Sequence, residues 1–182
     1  SIRKPKKVEG KKVAIVTTVG ANHATPAAFF GHQANRSMYD ELLNDMVAAN
    51  MDFYAGSELM RSSKDKRCVD NPVELLENAG YTFAGSVDEF NEKYASSEKM
   101  VMVPDGKHKI DYAINRVNAI PEYADSFISL KDLVESSIKF LTKGKKNNGF
   151  FIIAMKDWAD KSDNAKAFAK LAEDYVVEAE GI

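Results

Sequence analysis

The sequence predicts an α/β protein with a mostly parallel sheet flanked by helices. Two runs, "VAIVTTV" in residues 12–19 and "GFFIIAM" at 149–155, are almost wholly apolar or β-branched, which is typical of strands buried on both faces. Helix and shorter strand patterns alternate along the chain between these runs. We therefore expect both runs to form central and nearly adjacent strands of one sheet.

The stretch "NHATPAAFF" at residues 22–30 directly follows the first strand. Thr25 fits the position that caps a helix, and Pro26 fits the first helical position, where a missing N–H costs nothing. We expect a helix over 25–33, with His23 and Thr25 on the loop at the carboxyl end of the strand. Open α/β sheets bind ligands at this edge, beside helix N-termini.

One helix and one strand are expected next. Ser37 and Asp40 have the spacing of a capping box, and an apolar helical stripe follows them. The apolar segment "MDFYAG" (51–56) predicts a short strand that ends in Gly56. The alternation of elements therefore continues beyond the first edge.

In the rest of the chain, most expected helices also begin with a capping residue or a proline. The expected elements are a helix over 72–80 from Pro72 to a left-handed Gly80, a strand in "YTFAGS", a helix over 86–95 capped by Ser86 with Glu89 at the capping-box position, a strand over 99–103, a helix capped by Ser129 with Asp132 three residues later, the strand over 149–155, and a helix over roughly 163–179.

Composition excludes several classes of function. The 182 residues, 45% of them hydrophobic, suit one globular domain, and the net charge of -2 offers no basic field for nucleic acid or an anionic membrane. Cys68 is the only cysteine, so neither an internal disulfide nor a CxxC metal site can form. No apolar run approaches the roughly 20 residues of a membrane span, and no signal-peptide pattern is present.

An acidic cluster follows the second apolar strand. Asp157, Asp160 and Asp163 could bind a cation, or they could be solvated, with Asp163 as the N-cap of the last helix. If the two strands are parallel, the aspartates and Thr25 lie at the same end of the sheet.

Four stretches resemble the alkaline phosphatase family. "KKVAIVTTVGANHATPAAFFGH" is similar to a family strand followed by a "THATPAAFxAH"-like turn, and "DFYAGSELM" to a strand with a glycine-rich turn. "NPVELLENAGYTFAGSVDEF" and "KKNNGFFIIAMKDWADKSDNAKA" resemble later family segments in the same order. An edge position for either apolar strand would argue against that family's core.

The resemblance implies a phosphomonoester hydrolase in which a serine is phosphorylated and then hydrolysed at two zinc ions, with magnesium alongside. Thr25 matches the hydroxyl ligand of the magnesium site, and His23 matches a near-metal position that is Asp or His in different members. The resemblance also implies a periplasmic or secreted parent protein and a possible homodimer.

The second metal motif departs from the family pattern. In gapless register its carboxylate magnesium ligand falls on Met155, its zinc-ligand Asp on Asp160 and its zinc-ligand His on Asn164. A shifted register makes Asp157 the zinc-ligand position but puts Lys161 and Ile152 in place of the His and the Glu. Both registers keep one Asp and lose the Glu and the His.

No serine stands in the family's "DSAxxxTA"-like nucleophile motif, and the Asp-His pair and final His are also absent, so no catalytic residue is assigned. We expect residues 1–182 to be a single α/β domain, a fragment from the middle of a larger alkaline phosphatase-like protein, inactive in isolation and weak in zinc binding. The alternatives are a degenerate pseudo-phosphatase or interaction domain on the same scaffold, and an unrelated α/β module that binds phosphate near Pro26.

Overall fold

A computed structural model describes residues 10–62, 69–105, 109–110, 127–144 and 149–155. The strands are β1 (Lys12–Thr17), β2 (Phe53–Ala55), β3 (Tyr81–Ala84), β4 (Lys99–Met102), β5 (Lys109–Ile110), β6 (Phe127–Ile128) and β7 (Phe150–Met155). The helices are α1 (Ala24–Ala27), α2 (Tyr39–Ala49), α3 (Pro72–Asn78), α4 (Val87–Lys93) and α5 (Leu130–Thr142). The helix expected over 163–179 lies outside the described residues.

Five strands form one sheet in the order β3-β4-β2-β1-β7, and β5 pairs with β6 in a separate two-stranded sheet. Every pairing in the five-stranded sheet is parallel. The register of β1 with β7 runs from Lys12 opposite Phe150 to Thr17 opposite Met155. The sequence prediction of a mostly parallel α/β sheet is confirmed, and so is the adjacency of the two apolar strands.

The expectation that β7 is central is wrong for the described sheet. Among the described strands β7 pairs with β1 alone and forms an edge, and the Phe151 side chain is 59% exposed. The run "FFIIAM" has the composition of a buried strand, but burial depends on what covers each face, and composition cannot report that.

Apolar side chains cover both faces of the sheet, so the core has two layers. One face packs Ala14, Val16 and Phe53 against α4 and α5 through Phe90 and Phe140. The other face packs Val13, Ile15, Tyr54 and Val101 against α1, α2 and α3, with Ala27, Leu43 and Leu76 among the helical partners. The alternation along β1 of residues facing each layer explains why this strand is apolar at nearly every position.

The local signals at several helix ends are confirmed. Ser129 and Asp132 form a complete capping box, with the Ser129 Oγ accepting from the Asp132 backbone N–H at 3.1 Å and Asp132 Oδ2 accepting from the Ser129 N–H at 2.8 Å. Ser86 caps α4, but the Glu89 carboxylate accepts from the Gly85 N–H instead of closing a box on Ser86. Gly80 has the expected positive φ of 86°.

None of the helices in the described part of the chain is long and apolar enough to cross a membrane.

Candidate site at the carboxyl edge of the sheet

The loops that leave β1 and β2 cross at the carboxyl edge of the sheet. The Ser57 N–H donates to the Val19 carbonyl and the Ala21 N–H donates to the Glu58 carbonyl, both at 2.9 Å. Gly56 permits this approach, because a Cβ there would lie 2.7 Å from backbone atoms of Val19 and Ala21. The strand-terminal glycine of "MDFYAG" therefore brings the two loops into direct contact.

His23 and Thr25 lie beside this crossing, but their roles in α1 differ from the sequence prediction. His23 is the N-cap residue but its side chain makes no capping hydrogen bond to the helix, whereas Thr25 lies inside the first turn and is exposed. The expectation that Thr25 caps the helix is therefore wrong. Pro26 is the third helical residue, still in the turn where backbone N–H groups have no helical partner.

The helix is also much shorter than the expected range of 25–33. After Ala27 the Phe29 and Phe30 N–H groups donate to carbonyls three residues back, which tightens the last turn. This turn ends at Gly31, where a Cβ would lie 2.8 Å from the Ala27 carbonyl oxygen. The apolar run "PAAFF" satisfies helical periodicity, but this turn ends the helix.

The His23 imidazole contacts an arginine that the sequence analysis missed. The Arg36 Nη2 atom lies 3.4 Å from His23 Nε2. Because a guanidinium can only donate, Nε2 is the acceptor, and in a neutral ring the proton then belongs to Nδ1. His23 Nδ1 is buried and, within the described part of the chain, has no hydrogen-bond partner. The ring therefore offers a buried N–H that an incoming oxygen could accept. A metal could ligate Nδ1 only in the other tautomer, in which the proton is on Nε2 and the hydrogen bond from Arg36 is lost.

Arg36 is exposed, on the segment between α1 and α2. That segment is organised locally, since the Asn35 side chain accepts from the Ser37 N–H at 2.9 Å and the Asn35 carbonyl accepts from the Met38 N–H at 3.2 Å. The triplet "NRS" carries no periodic signal. The one feature of the sequence that could have indicated this arginine is its position on the segment between the first two helices, close to the carboxyl edge of the sheet.

Asp40 does not act as the expected capping-box partner of Ser37. The N-cap of α2 is Met38, which makes no side-chain cap. The Asp40 carboxylate is buried instead, with 1% exposure, and accepts from the Ser62 and Val69 backbone N–H groups at 3.2 Å each. A buried carboxylate needs donors, and the loop after β2 supplies them.

The carboxyl end of β7 lies at the same edge of the sheet as the carboxyl end of β1. The Thr18 N–H donates to the Met155 carbonyl at 3.2 Å, and Thr17 lies opposite Met155 in the parallel register. The parallel pairing that was expected to bring Thr25 and the aspartates together is thus present. Asp157 and Asp160 themselves lie outside the described residues. Among the residues the structure describes, no group of three or more His, Cys, Asp or Glu side chains could hold a metal.

The family model described as "Alkaline phosphatase" matches residues 1–55. Alkaline phosphatase 3 of Bacillus subtilis (strain 168) is 27% identical over 178 residues, which cover 93% of this chain and 35% of that protein. Alkaline phosphatase 4 of the same organism is 27% identical over 169 residues, covering 87% and 33%. The chain thus spans about a third of the length of these curated relatives.

Solved structures support the same assignment. The alkaline phosphatase of the Antarctic bacterium TAB5 matches with a TM-score of 0.59 and 28% identity, covering 80% of this chain and 39% of that one. A variant of the TAB5 enzyme, with a histidine replaced by glutamate and magnesium bound in its M3 site, matches with a TM-score of 0.58 and 25% identity, covering 80% and 38%. Together with the "NHATPAAFF" turn at the end of β1, these matches identify the chain as a member of the alkaline phosphatase family.

Proposed function

We propose that the chain carries part of the phosphate- and metal-binding site of a phosphomonoester hydrolase. The observation that carries the proposal is the 3.4 Å contact between Arg36 Nη2 and His23 Nε2 at the carboxyl edge of β1, two residues before Thr25. Ligands of open α/β sheets bind at this edge. Family membership supports a phosphomonoester as the substrate class.

Arg36 is suited to hold the phosphoryl group. Its guanidinium is planar, permanently charged and able to donate two parallel hydrogen bonds to phosphate oxygens. The side chain is exposed, so a phosphoester can reach it from solvent. We propose that Arg36 binds the phosphoryl oxygens, and that the contact with His23 holds the guanidinium at the edge while no metal is bound to His23.

His23 and Thr25 fit part of a metal site. A hydroxyl oxygen suits magnesium and an imidazole nitrogen suits zinc. Thr25 offers an exposed hydroxyl, and the buried Nδ1 of His23 has no partner among the described residues. We propose Thr25, His23, Asp157 and Asp160 as the metal ligands of this chain. Metal ions at such a site stabilise the negative charge of the transferred phosphoryl group.

We also propose that residues 1–182 form one α/β domain of a larger, exported enzyme. The family resemblance supports a homodimer of that larger enzyme. A phosphorylated-serine mechanism needs an activated nucleophile, and no serine here stands in the family's motif. The 182-residue chain alone should therefore not turn over an aryl phosphate.

A degenerate phosphatase or interaction domain is the second candidate. Met155 favours it, because a methionine stands at the carboxyl end of β7, opposite Thr17, where the gapless register puts a carboxylate ligand. A thioether does not ligate magnesium, so this position would have lost its part in the site.

Metal titration of the 182-residue chain separates the two candidates. We expect weak zinc binding that His23→Ala abolishes and that His32→Ala, a change at an exposed histidine, leaves unaltered. Equal zinc binding in both variants would contradict the proposed site. Absence of metal binding in the unmodified chain, with magnesium binding gained in Met155→Glu, would instead favour the degenerate candidate.

An assay with a generic aryl phosphate, with zinc and magnesium added, tests the expected inactivity of the chain alone. The rate should match that of a blank without protein. Turnover above the blank that is lost in Thr25→Ala or Asp160→Ala would reveal a complete site in this chain and contradict the expectation.

A further inference from the structure

One hydroxyl joins the loop after β2 to the segment that carries Arg36. Ser62 Oγ donates to the Ser37 carbonyl at 3.0 Å and accepts from the Tyr39 N–H at 3.1 Å. These backbone groups lie one and three residues after Arg36. The two bonds therefore fix the chain between Arg36 and the start of α2.

The buried carboxylate of Asp40 holds Ser62 in place. Its Oδ1 accepts from the Ser62 N–H and its Oδ2 from the Val69 N–H, at 3.2 Å each. Since a buried carboxylate is strongly disfavoured without donors, the backbone at Ser62 cannot move away from Asp40 without a large cost.

The same loop is anchored next to His23. The Asn22 side chain is fully buried, donates to the Tyr39 and Met60 carbonyls at 3.0 and 2.9 Å, and accepts from the Met60 N–H at 2.7 Å. Residues 60–62 thus contact both the neighbour of His23 and the segment that follows Arg36. The position of the Arg36 side chain relative to the His23 imidazole therefore depends on this loop.

We infer that Ser62 is a positioning residue that holds Arg36 beside His23 and so prepares it to bind a phosphoryl group. The inference rests on the proposed function of Arg36. An exposed arginine side chain loses considerable rotamer entropy when a ligand fixes it, and a preordered backbone and a second contact reduce that loss. Ser62 supplies the order through Ser37 and Tyr39, without touching the ligand.

The test uses the 182-residue chain and three variants at matched positions. Ser62→Ala removes the hydroxyl, Ser62→Thr keeps it, and Ser96→Ala removes a single exposed hydroxyl that donates to the Lys93 carbonyl, just before the amino end of β4. Three quantities are measured by NMR: ¹⁵N relaxation at Arg36 Nε without ligand, amide exchange at Tyr39, and the response of Arg36 to inorganic phosphate.

In Ser62→Ala we expect greater mobility at Arg36 Nε, about five- to tenfold faster exchange at Tyr39 and a similar loss of phosphate affinity. Ser62→Thr should restore all three, and Ser96→Ala should match the unmodified chain. Exchange in β1 and β2 should stay unchanged in every variant, which a general loss of stability would not allow.

The outcomes separate the inference from the proposed function. Unchanged Arg36 mobility in Ser62→Ala, or unchanged phosphate affinity in a chain that binds phosphate, would overturn the positioning role. A lack of any phosphate response at Arg36 in the unmodified chain would overturn the proposed function, and the ligand-free relaxation data would still decide whether Ser62 orders Arg36.

Discussion

Replacement of Asn22 by alanine should lower the free energy of unfolding more than replacement of an exposed polar residue does. Asn22 directly precedes His23, and its side chain is fully buried between the crossing loops. It makes three hydrogen bonds, two as a donor to the Tyr39 and Met60 carbonyls and one as an acceptor from the Met60 N–H. The truncation leaves all three backbone groups without this partner.

The magnitude follows from the bond count. Each bond contributes about 1 kcal/mol net, and a buried group left without a partner costs about 1–3 kcal/mol. Asn22→Ala should therefore lower the free energy of unfolding by about 3 kcal/mol, a large share of the roughly 5–15 kcal/mol that stabilises a typical domain.

Urea unfolding followed by circular dichroism measures this difference. Asn44→Ala is the matched control, because Asn44 is exposed on α2 and its amide makes one bond to the Asp40 carbonyl. We expect the control to change the free energy of unfolding by less than about 0.5 kcal/mol. Equal effects of the two substitutions would refute the argument that the crossing loops depend on the Asn22 amide.

Three further predictions concern other parts of the fold and site. Burial raises the pKa of Tyr54 and Tyr81 above the ordinary value of about 10, so their contribution to stability is complete below pH 10 and is lost as pH rises above it, by up to about 1.4 kcal/mol per pH unit for each tyrosine. Urea unfolding at pH 9, 10 and 11 should therefore show a shallower fall of the unfolding free energy with pH in Tyr54→Phe than in the unmodified chain. An equally steep fall in the variant would contradict the raised pKa of Tyr54. Gly56→Ala should lower the free energy of unfolding by about 1–3 kcal/mol in the same assay, because its Cβ would meet backbone atoms at 2.7 Å, and a neutral effect would mean that the loops can separate. His23→Asp should raise magnesium affinity, measured by calorimetry, because a carboxylate is a better magnesium ligand than imidazole; lower affinity would argue against a metal near residue 23.

The core of the fold could be predicted from the sequence because burial on both faces leaves a strong local pattern. The β-branched run of β1 and the caps at Ser86 and Ser129 are consequences of short-range chemistry, and all three are confirmed. The edge position that β7 has among the described strands could not be predicted, since the number of neighbours of a strand is a property of the whole sheet. An edge strand was expected to argue against the family, but the relatives match over 93% of this chain while it spans only 35% of their length, so the criterion was too strict.

The site was only partly accessible to sequence reasoning. His23 was placed at the right edge because the end of a strand is a local feature, and Thr25 was placed nearby with the wrong role. Arg36 was missed because its contact with His23 spans 13 residues and no periodic pattern marks it. Asp40 was misassigned for a related reason: a capping-box spacing does not reveal that a distant loop offers the carboxylate two better donors.

A crystal structure of the 182-residue chain with inorganic phosphate tests the central claim most directly. We expect phosphate oxygens within about 2.7–3.2 Å of the Arg36 guanidinium, at the carboxyl edge of β1 beside His23 and Thr25. Phosphate bound at another surface, with the Arg36 guanidinium still free to solvent at saturating ligand, would contradict the account.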